Sequence, residues 1–323
     1  MQAIRMTLLA GAAALATGWM PASAQTYPSK PMKLLLPTAP GTAPDTIARI
    51  VGDKLARSMG QPVVVENKPG AGGMIAMHQL KQAPADGYTF ALVQAAVATV
   101  TPLTYKEARY DIEHDFETIA ILGVTPMMFV AGNKFAGNDL AAAVKAAKAA
   151  PEQVTIGNPT RTSIPHLAAE LLALKSQTKF QHVPFATTGQ GVQAAIAGDI
   201  ALYVDGVGPL LQLVKAGRLK ALAVASEKTL PGLEGIPLAK DTVPELNVYG
   251  WFMVSAPKGT PQPIVERLNK EINEALKSED LVAKFKEFGT YAQPGSVADG
   301  QRFVKREKAL FGGVVQAIGV KPE

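Results

Sequence analysis

Short apolar runs with strand character alternate with amphipathic helical patterns along almost all of this 323-residue chain. That alternation constrains the fold more than any other feature. Strand runs are expected at residues 32–36, 62–66, 90–94, 119–122, 127–131, 154–157, 180–183, 200–204, 221–225 and 249–255. Helical patterns lie between them, as at 139–150, 163–174, 191–197 and 209–216, with two longer ones at 263–277 and 298–318. In the first helix, Ile47, Ile50, Val51 and Leu55 fall on one face, Asp45 suits the N-cap, and Gly60 ends the pattern. Repeated strand–helix alternation predicts an α/β fold: mainly parallel, doubly wound sheets with helices on both faces. At roughly 100–200 residues per domain the length favours two domains. No exposed linker composition separates them, so two sequential domains and one domain inserted in the other both stay open.

Composition narrows the class. Hydrophobic residues make up 47% and charged residues 18%, enough apolar mass for a packed core and too little charge for disorder. The formal charge of +5 is scattered rather than gathered in a basic block, which sets nucleic acid aside as a partner. A mildly positive field still favours anionic ligands. With no cysteine, disulfides, thiolate metal sites and cysteine nucleophiles are excluded. Residues 1–24 have a basic start at Arg5, an Ala- and Leu-rich run, Pro21, and a small-x-small end at Ala22-Ser23-Ala24. This is the pattern of a secretory signal cleaved after Ala24. Its apolar run is shorter than the ~20 residues needed to span a bilayer. The mature chain is therefore expected to be exported, to begin at Gln25 and to be soluble.

The motif inventory contains neither a G-x-S-x-G elbow nor a P-loop. Gly70-Ala71-Gly72 begins like a dinucleotide fingerprint, but Ile75 stands where the third glycine belongs. His78, His114, His166 and His182 show no H-x₃-H spacing and no evident carboxylate partner, so neither metal nor cofactor is expected. Two polar loops, each just before a helix, carry the positive signal. The first holds Thr38, Ala39, Gly41, Thr42 and Ala43. The second holds Thr160, Arg161, Thr162 and Ser163 and leads into the helix with His166. Free N–H groups at a helix start favour an anion, and a guanidinium holds a carboxylate in two-point contact. Gln94 and Asp205, each at a strand's end, join the candidate set. Ordinary turns and caps use the same residue types, and Arg161 also reads as a solvated surface cation.

Several stretches stand in a familiar order: Tyr27-Pro28-Ser29-Lys30-Pro31, Ala39-Pro40-Gly41 with Asp45, Gln61-Pro62-Val63-Val64-Val65-Glu66-Asn67-Lys68-Pro69-Gly70, and Ala85-Asp86-Gly87-Tyr88-Thr89. His166-Leu167-Ala168-Ala169-Glu170-Leu171, Val183-Pro184-Phe185, Lys215-Ala216-Gly217-Arg218-Leu219 and Ala256-Pro257-Lys258-Gly259-Thr260-Pro261 follow. In this order and spacing, residues 27–319 resemble the receptors of tripartite tricarboxylate transporters, the Bug family of periplasmic solute-binding proteins. The resemblance implies a type II periplasmic-binding fold, with one domain at 27–126 plus 249–323 and an inserted one at 127–248, joined by a two-crossover hinge. It implies a monomeric, non-enzymatic binding protein that holds a small carboxylate with loop N–H groups and hydroxyls and delivers it to a two-component membrane permease. Thr38, Thr42, Pro159, Arg161 and Pro165 depart from the family pattern, and residues 95–99 are more apolar than usual. A carboxylate with an apolar body, aromatic acids included, is the expected ligand. A ligand-sensing subunit of a membrane receptor, or a periplasmic hydrolase or isomerase on the same fold, are the alternative readings.

Overall fold

The computed structural model describes residues 27–322; the expected signal segment lies outside them. The chain opens with β1 (Met32–Leu36), α1 (Ala43–Met59), β2 (Val63–Asn67), α2 (Met74–Gln82) and β3 (Thr89–Gln94). Residues 96–100 then form a wide π-helical turn that runs into the short α3 (Thr101–Thr104). β1 is hydrogen-bonded in parallel to β2 on one side and β3 on the other. An interior parallel strand is covered on both faces, which is why it reads Met-Lys-Leu-Leu-Leu rather than alternating. In α1, Ile47, Ala48, Val51, Leu55 and Met59 are buried. The helix begins two residues before Asp45, with Thr42 at the N-cap position and Pro44 in the first turn, where its missing N–H costs nothing. Gly60 ends it in the left-handed conformation, at φ 73°.

β4 (Phe116–Ala131) is the organising element. Two strands were expected here; they are one, 16 residues long. α4 (Leu140–Ala149), β5 (Thr155–Pro159), α5 (Ile164–Ser176), β6 (Gln181–Phe185), α6 (Thr188–Ala197) and β7 (Leu202–Gly206) follow. Next come α7 (Val207–Lys215), β8 (Lys220–Ala225), α8 (Ala239–Thr242), β9 (Tyr249–Pro257) and α9 (Gln262–Ala275). The chain ends with α10 (Glu279–Glu287), β10 (Tyr291–Ala292) and α11 (Val297–Ala317); the sequence reading did not anticipate α10 or β10.

One sheet runs β2-β1-β3-β9-β4 and the other β6-β5-β7-β4-β8. Each repeats the same order, second-first-third, followed by a long strand that arrives from the opposite direction. The outer pairings β1–β2, β1–β3, β5–β6 and β5–β7 are parallel, as expected, whereas β9 and β4 are antiparallel to every neighbour. The sheets are thus mixed rather than mainly parallel. The reason is topological: β4 and β9 carry the chain between the two sheets and so run counter to strands returned by crossover helices. β4 pairs with β9 up to Pro126↔Tyr249, and from Met127 onward with β7 and β8.

Helices α1, α9 and α10 cover one face of the first sheet through Ile47, Val51, Leu55, Leu268, Ile272 and Phe285. α6 and α7 cover one face of the second through Val192, Ala195, Val207 and Leu210. The remaining faces share one continuous core, which includes Phe129, Leu167, Leu172, Trp251, Phe311 and Val315. Apolar faces turned outward on both sides of each sheet are what a doubly wound α/β fold requires.

Candidate functional site

β1 lies between β2 and β3, and β5 between β6 and β7. At each place the chain leaves the sheet in two diverging directions, opening a crevice outside the strand ends. Loop one and Gln94 follow β1 and β3; the loop of Thr160–Ser163 and Asp205 belong to the ends of β5 and β7.

Loop one is closed upon itself. The Gly41 N–H donates to Asp45 Oδ2 at 2.9 Å, and Asp45 also accepts from Arg49 Nε at 3.1 Å, Arg49 Nη2 at 2.9 Å and Asn67 Nδ2 at 2.9 Å. Burial alone would raise the Asp45 pKa, but Arg49, the Gly41 N–H and Asn67 together hold it below the usual aspartate value. Asn67 Nδ2 donates to Thr38 O at 3.0 Å and Thr42 Oγ1 to Ala39 O at 2.9 Å. The anion at this helix start is therefore the chain's own Asp45.

The second loop is open where the first is closed. Thr160 and Thr162 have φ of 43° and 59°, on either side of Arg161. Left-handed backbone is uncommon outside glycine, and such strain concentrates at ligand sites. Changes of handedness along a short loop turn successive N–H groups to one side, the geometry of an anion nest. The N–H groups of Arg161, Thr162 and Ser163 have no protein partner among the described residues. Ser163 caps α5, accepting from the His166 N–H at 3.3 Å, while its own hydroxyl donates to Pro159 O and Thr160 O.

A cavity of about 350 Å³ separates this loop from the first sheet. Thr160, Arg161, Thr162 and Ser163 border it on one side; Gln94, Thr101 and Thr104 border it on the other, with Ala96, Val97 and Val100 as its apolar wall. Pro37 reaches it, but Thr38, Ala39, Gly41, Thr42 and Ala43 do not line it. Its floor includes Gly70, Gly72 and Gly73, part of a run with positive φ at four successive residues, 70 to 73. At Gly73 (φ 90°) an added Cβ would lie 2.8 Å from the Val97 methyls, so only glycine lets the loop meet the wall. The glycine cluster was visible in the sequence; its failure as a dinucleotide fingerprint hid its use as a close-packed cavity floor. Thr101, Thr104 and Tyr105 left no signal, because a turn of π-helix after β3 was not foreseen.

Asp205 lies apart from this cavity. It is buried, accepts from Thr188 Oγ1 at 2.8 Å, the Gly206 N–H at 2.8 Å and the Tyr203 hydroxyl at 3.3 Å, and so holds the loop before α6. Burial raises its pKa above the usual aspartate value despite those donors. Asn158, fully buried at the end of β5, donates to Thr160 O at 3.0 Å, and its Oδ1 has no partner among the described residues.

His166 opens instead on a neighbouring cavity of about 400 Å³, which it shares with Thr104, Tyr105, Arg161 and Glu170. The expectation that the histidines lack a carboxylate partner is corrected here. Glu170 Oε1 lies 3.3 Å from His166 Nε2, and Glu170 Oε2 3.6 Å from His182 Nε2. Glu170 follows His166 by one helical turn, and β6 brings His182 beside them. Burial lowers the His182 pKa, against the pull of Glu170. Burial opposes the Glu170 charge, yet His166, His182 and Arg161 keep its pKa below the usual glutamate value. A larger space of about 560 Å³ lies among Tyr249, Glu227 and the α11 residues Arg302, Phe303 and Arg306, away from the ends of β1, β3, β5 and β7.

Comparison with known proteins identifies the architecture. The sequence profile of the tripartite tricarboxylate transporter family receptor matches residues 47–320. The chain belongs to this family. Protein BugT of Bordetella pertussis is 31% identical over 303 residues, covering 93% of each chain. A TctC solute-binding protein from Polaromonas superposes with a TM-score of 0.83 at 26% identity, over 90% of this chain and 100% of that one. An R. palustris protein with adipate superposes at 0.74 and 28% identity, over 92% and 100%. The receptor is thus a solute-binding protein with the fold of its periplasmic relatives, and none of its described helices is long and apolar enough to cross a membrane.

Proposed function

We propose that this receptor captures a small organic carboxylate with an apolar body in the 350 Å³ cavity and passes it to a two-component membrane permease from the periplasm, after cleavage at Ala24. The observation that carries this reading is the pairing within one cavity of the unengaged N–H groups of Arg161, Thr162 and Ser163 with the apolar wall of Ala96, Val97 and Val100. Arg161 supplies the charge that a carboxylate needs, at a position free to move onto it. The adipate held by the R. palustris relative is an acid of this kind, a carboxylate on an aliphatic chain. We assign the two lobes to 27–126 plus 249–323 and to 127–248. The ligand lies between them, and closure bends the crossings near Pro126 and Tyr249.

A thermal-shift panel tests the class: aliphatic diacids, aromatic acids and the matching neutral amides. At about 100 times the dissociation constant a ligand adds ~2.7 kcal/mol of stability, a shift of a few degrees for domains of this size. Acids with an apolar body should shift the melting temperature and amides should not. Equal shifts from acids and amides would refute the carboxylate; shifts only from short hydroxy acids would refute the apolar body.

A further inference from the structure

We propose that His166, Glu170 and His182 form a three-ligand site for a divalent transition-metal ion, Zn²⁺ being the best match, with a fourth position open to the 400 Å³ cavity. Two imidazole nitrogens and one carboxylate oxygen are a donor set that holds zinc and leaves a position for water or another ligand. The same set disfavours Mg²⁺ and Ca²⁺, which take oxygen donors throughout.

The spacing fits. The three candidate ligand atoms lie within 4.8 Å of one another, and the two nitrogen–oxygen distances through Glu170 are 3.3 and 3.6 Å. A tetrahedral ion with bonds of ~2.0–2.1 Å sets its ligands ~3.3 Å apart. The two Glu170 distances, one to each carboxylate oxygen, are within about 0.3 Å of that spacing, and within the 4.8 Å bound the donor atoms close by up to about 1.5 Å to hold one ion. The supports are rigid: His166 and Glu170 stand on α5, whose Leu167, Ala168, Ala169 and Leu171 are buried, and His182 is in β6, paired with Ile156 of β5. Rings on regular elements hold a site better than rings on loops.

The ring orientations point the same way, although the buried Nδ1 atoms of His166 and His182 have no partner among the described residues and so lack the outer-shell acceptor that ligating histidines usually hold. The polar contact that each ring makes is through Nε2, and both Nε2 atoms converge on one carboxylate beside an open cavity. Two cations oppose an ion here, Arg161 next to Glu170 and Lys321 at the cavity edge. Both are on exposed side chains and can swing aside. Arg161 and Thr162 also border the 350 Å³ cavity, so the metal would lie one loop away from the proposed solute.

Co²⁺ titrated into the chelator-treated mature chain tests this directly. One equivalent should produce the visible d–d bands of a four-coordinate ion, which Zn²⁺ removes and Mg²⁺ does not. Glu170→Gln and His182→Ala should each weaken Co²⁺ binding at least about tenfold. In the unaltered protein Zn²⁺ should slow modification of His182 by diethyl pyrocarbonate, a readout that needs no variant to fold. Absence of four-coordinate bands, bands of equal affinity in both variants, or unchanged His182 modification would each overturn the site.

Discussion

Glu307 is the residue whose replacement has the most readily calculated consequence. It lies on α11 with 2% of its surface exposed, beside the crossing strand β9. Arg306 Nε donates to its Oε1 at 3.2 Å, while Oε2 is buried with no partner among the described residues. Burial pushes its pKa up from the ordinary 4.5 to about 7, although Arg306 and the Trp251 indole favour the charged form. Between those two values the folded state holds a proton that the unfolded state has lost. Stability must therefore fall as pH rises from about 4.5 to 7, and level off above it. At ~1.36 kcal/mol per pH unit of displacement, the charged carboxylate costs the folded protein about 3 kcal/mol at pH 8. The attraction of Arg306 is already contained in that net value. Glu307→Gln keeps the shape and removes the charge. Any misfit of its amide is independent of pH and cancels when the parent–variant difference at pH 8 is compared with that at pH 5. Urea unfolding of both proteins at the two pH values measures this double difference. The variant should gain about 2–3 kcal/mol relative to the parent between pH 5 and pH 8, since part of the cost is already present at pH 5. Parallel pH dependences in parent and variant would refute the buried, proton-holding Glu307.

Three further outcomes are expected. Arg161→Ala should weaken binding of the acids identified in the thermal-shift panel about 10- to 100-fold, because a charge-assisted hydrogen bond contributes ~1.5–3 kcal/mol; since Arg161 is exposed, the melting temperature of the free protein should hardly move. Gly73→Ala should destabilise the protein by on the order of 1–3 kcal/mol, through its positive φ and the 2.8 Å approach to Val97, as read by urea unfolding. Small-angle scattering should show a smaller radius of gyration at saturating ligand, because the proposed closure would bend two chain crossings; an unchanged profile would refute the closure.

The local pattern of the sequence determined most of the elements and their order, α10, β10 and the unbroken β4 excepted. The Met32–Leu36 strand, the α1 face of Ile47, Val51 and Leu55, and the stop at Gly60 follow from side-chain periodicity and backbone freedom, and each depends only on neighbours in the chain. The polar loop of Thr160–Ser163 before α5 was legible as a loop and a cap, but caps and turns use the same residue types, so the sequence alone did not separate it from an ordinary helix start. Family membership was legible as well, from motifs whose order and spacing extend along most of the chain. Contacts between distant residues were decided by the tertiary structure alone. Gly123 and Pro126 interrupt the β4 run in sequence. In the fold, Gly123 lies where Thr290 and Tyr291 leave no room for a side chain, and Pro126 lies where pairing with β9 ends, so the strand continues through both. The sequence marked Asp45 for a cap; only the folded loop shows it taking the Gly41 N–H. His166 and Glu170 are one turn apart on α5, but His182 reaches them through a parallel pairing that no local rule specifies. The burial of Glu307 has the same origin: helical periodicity indicates which face of α11 turns inward, while the protein packed against that face sets the affinity of its carboxylate for a proton.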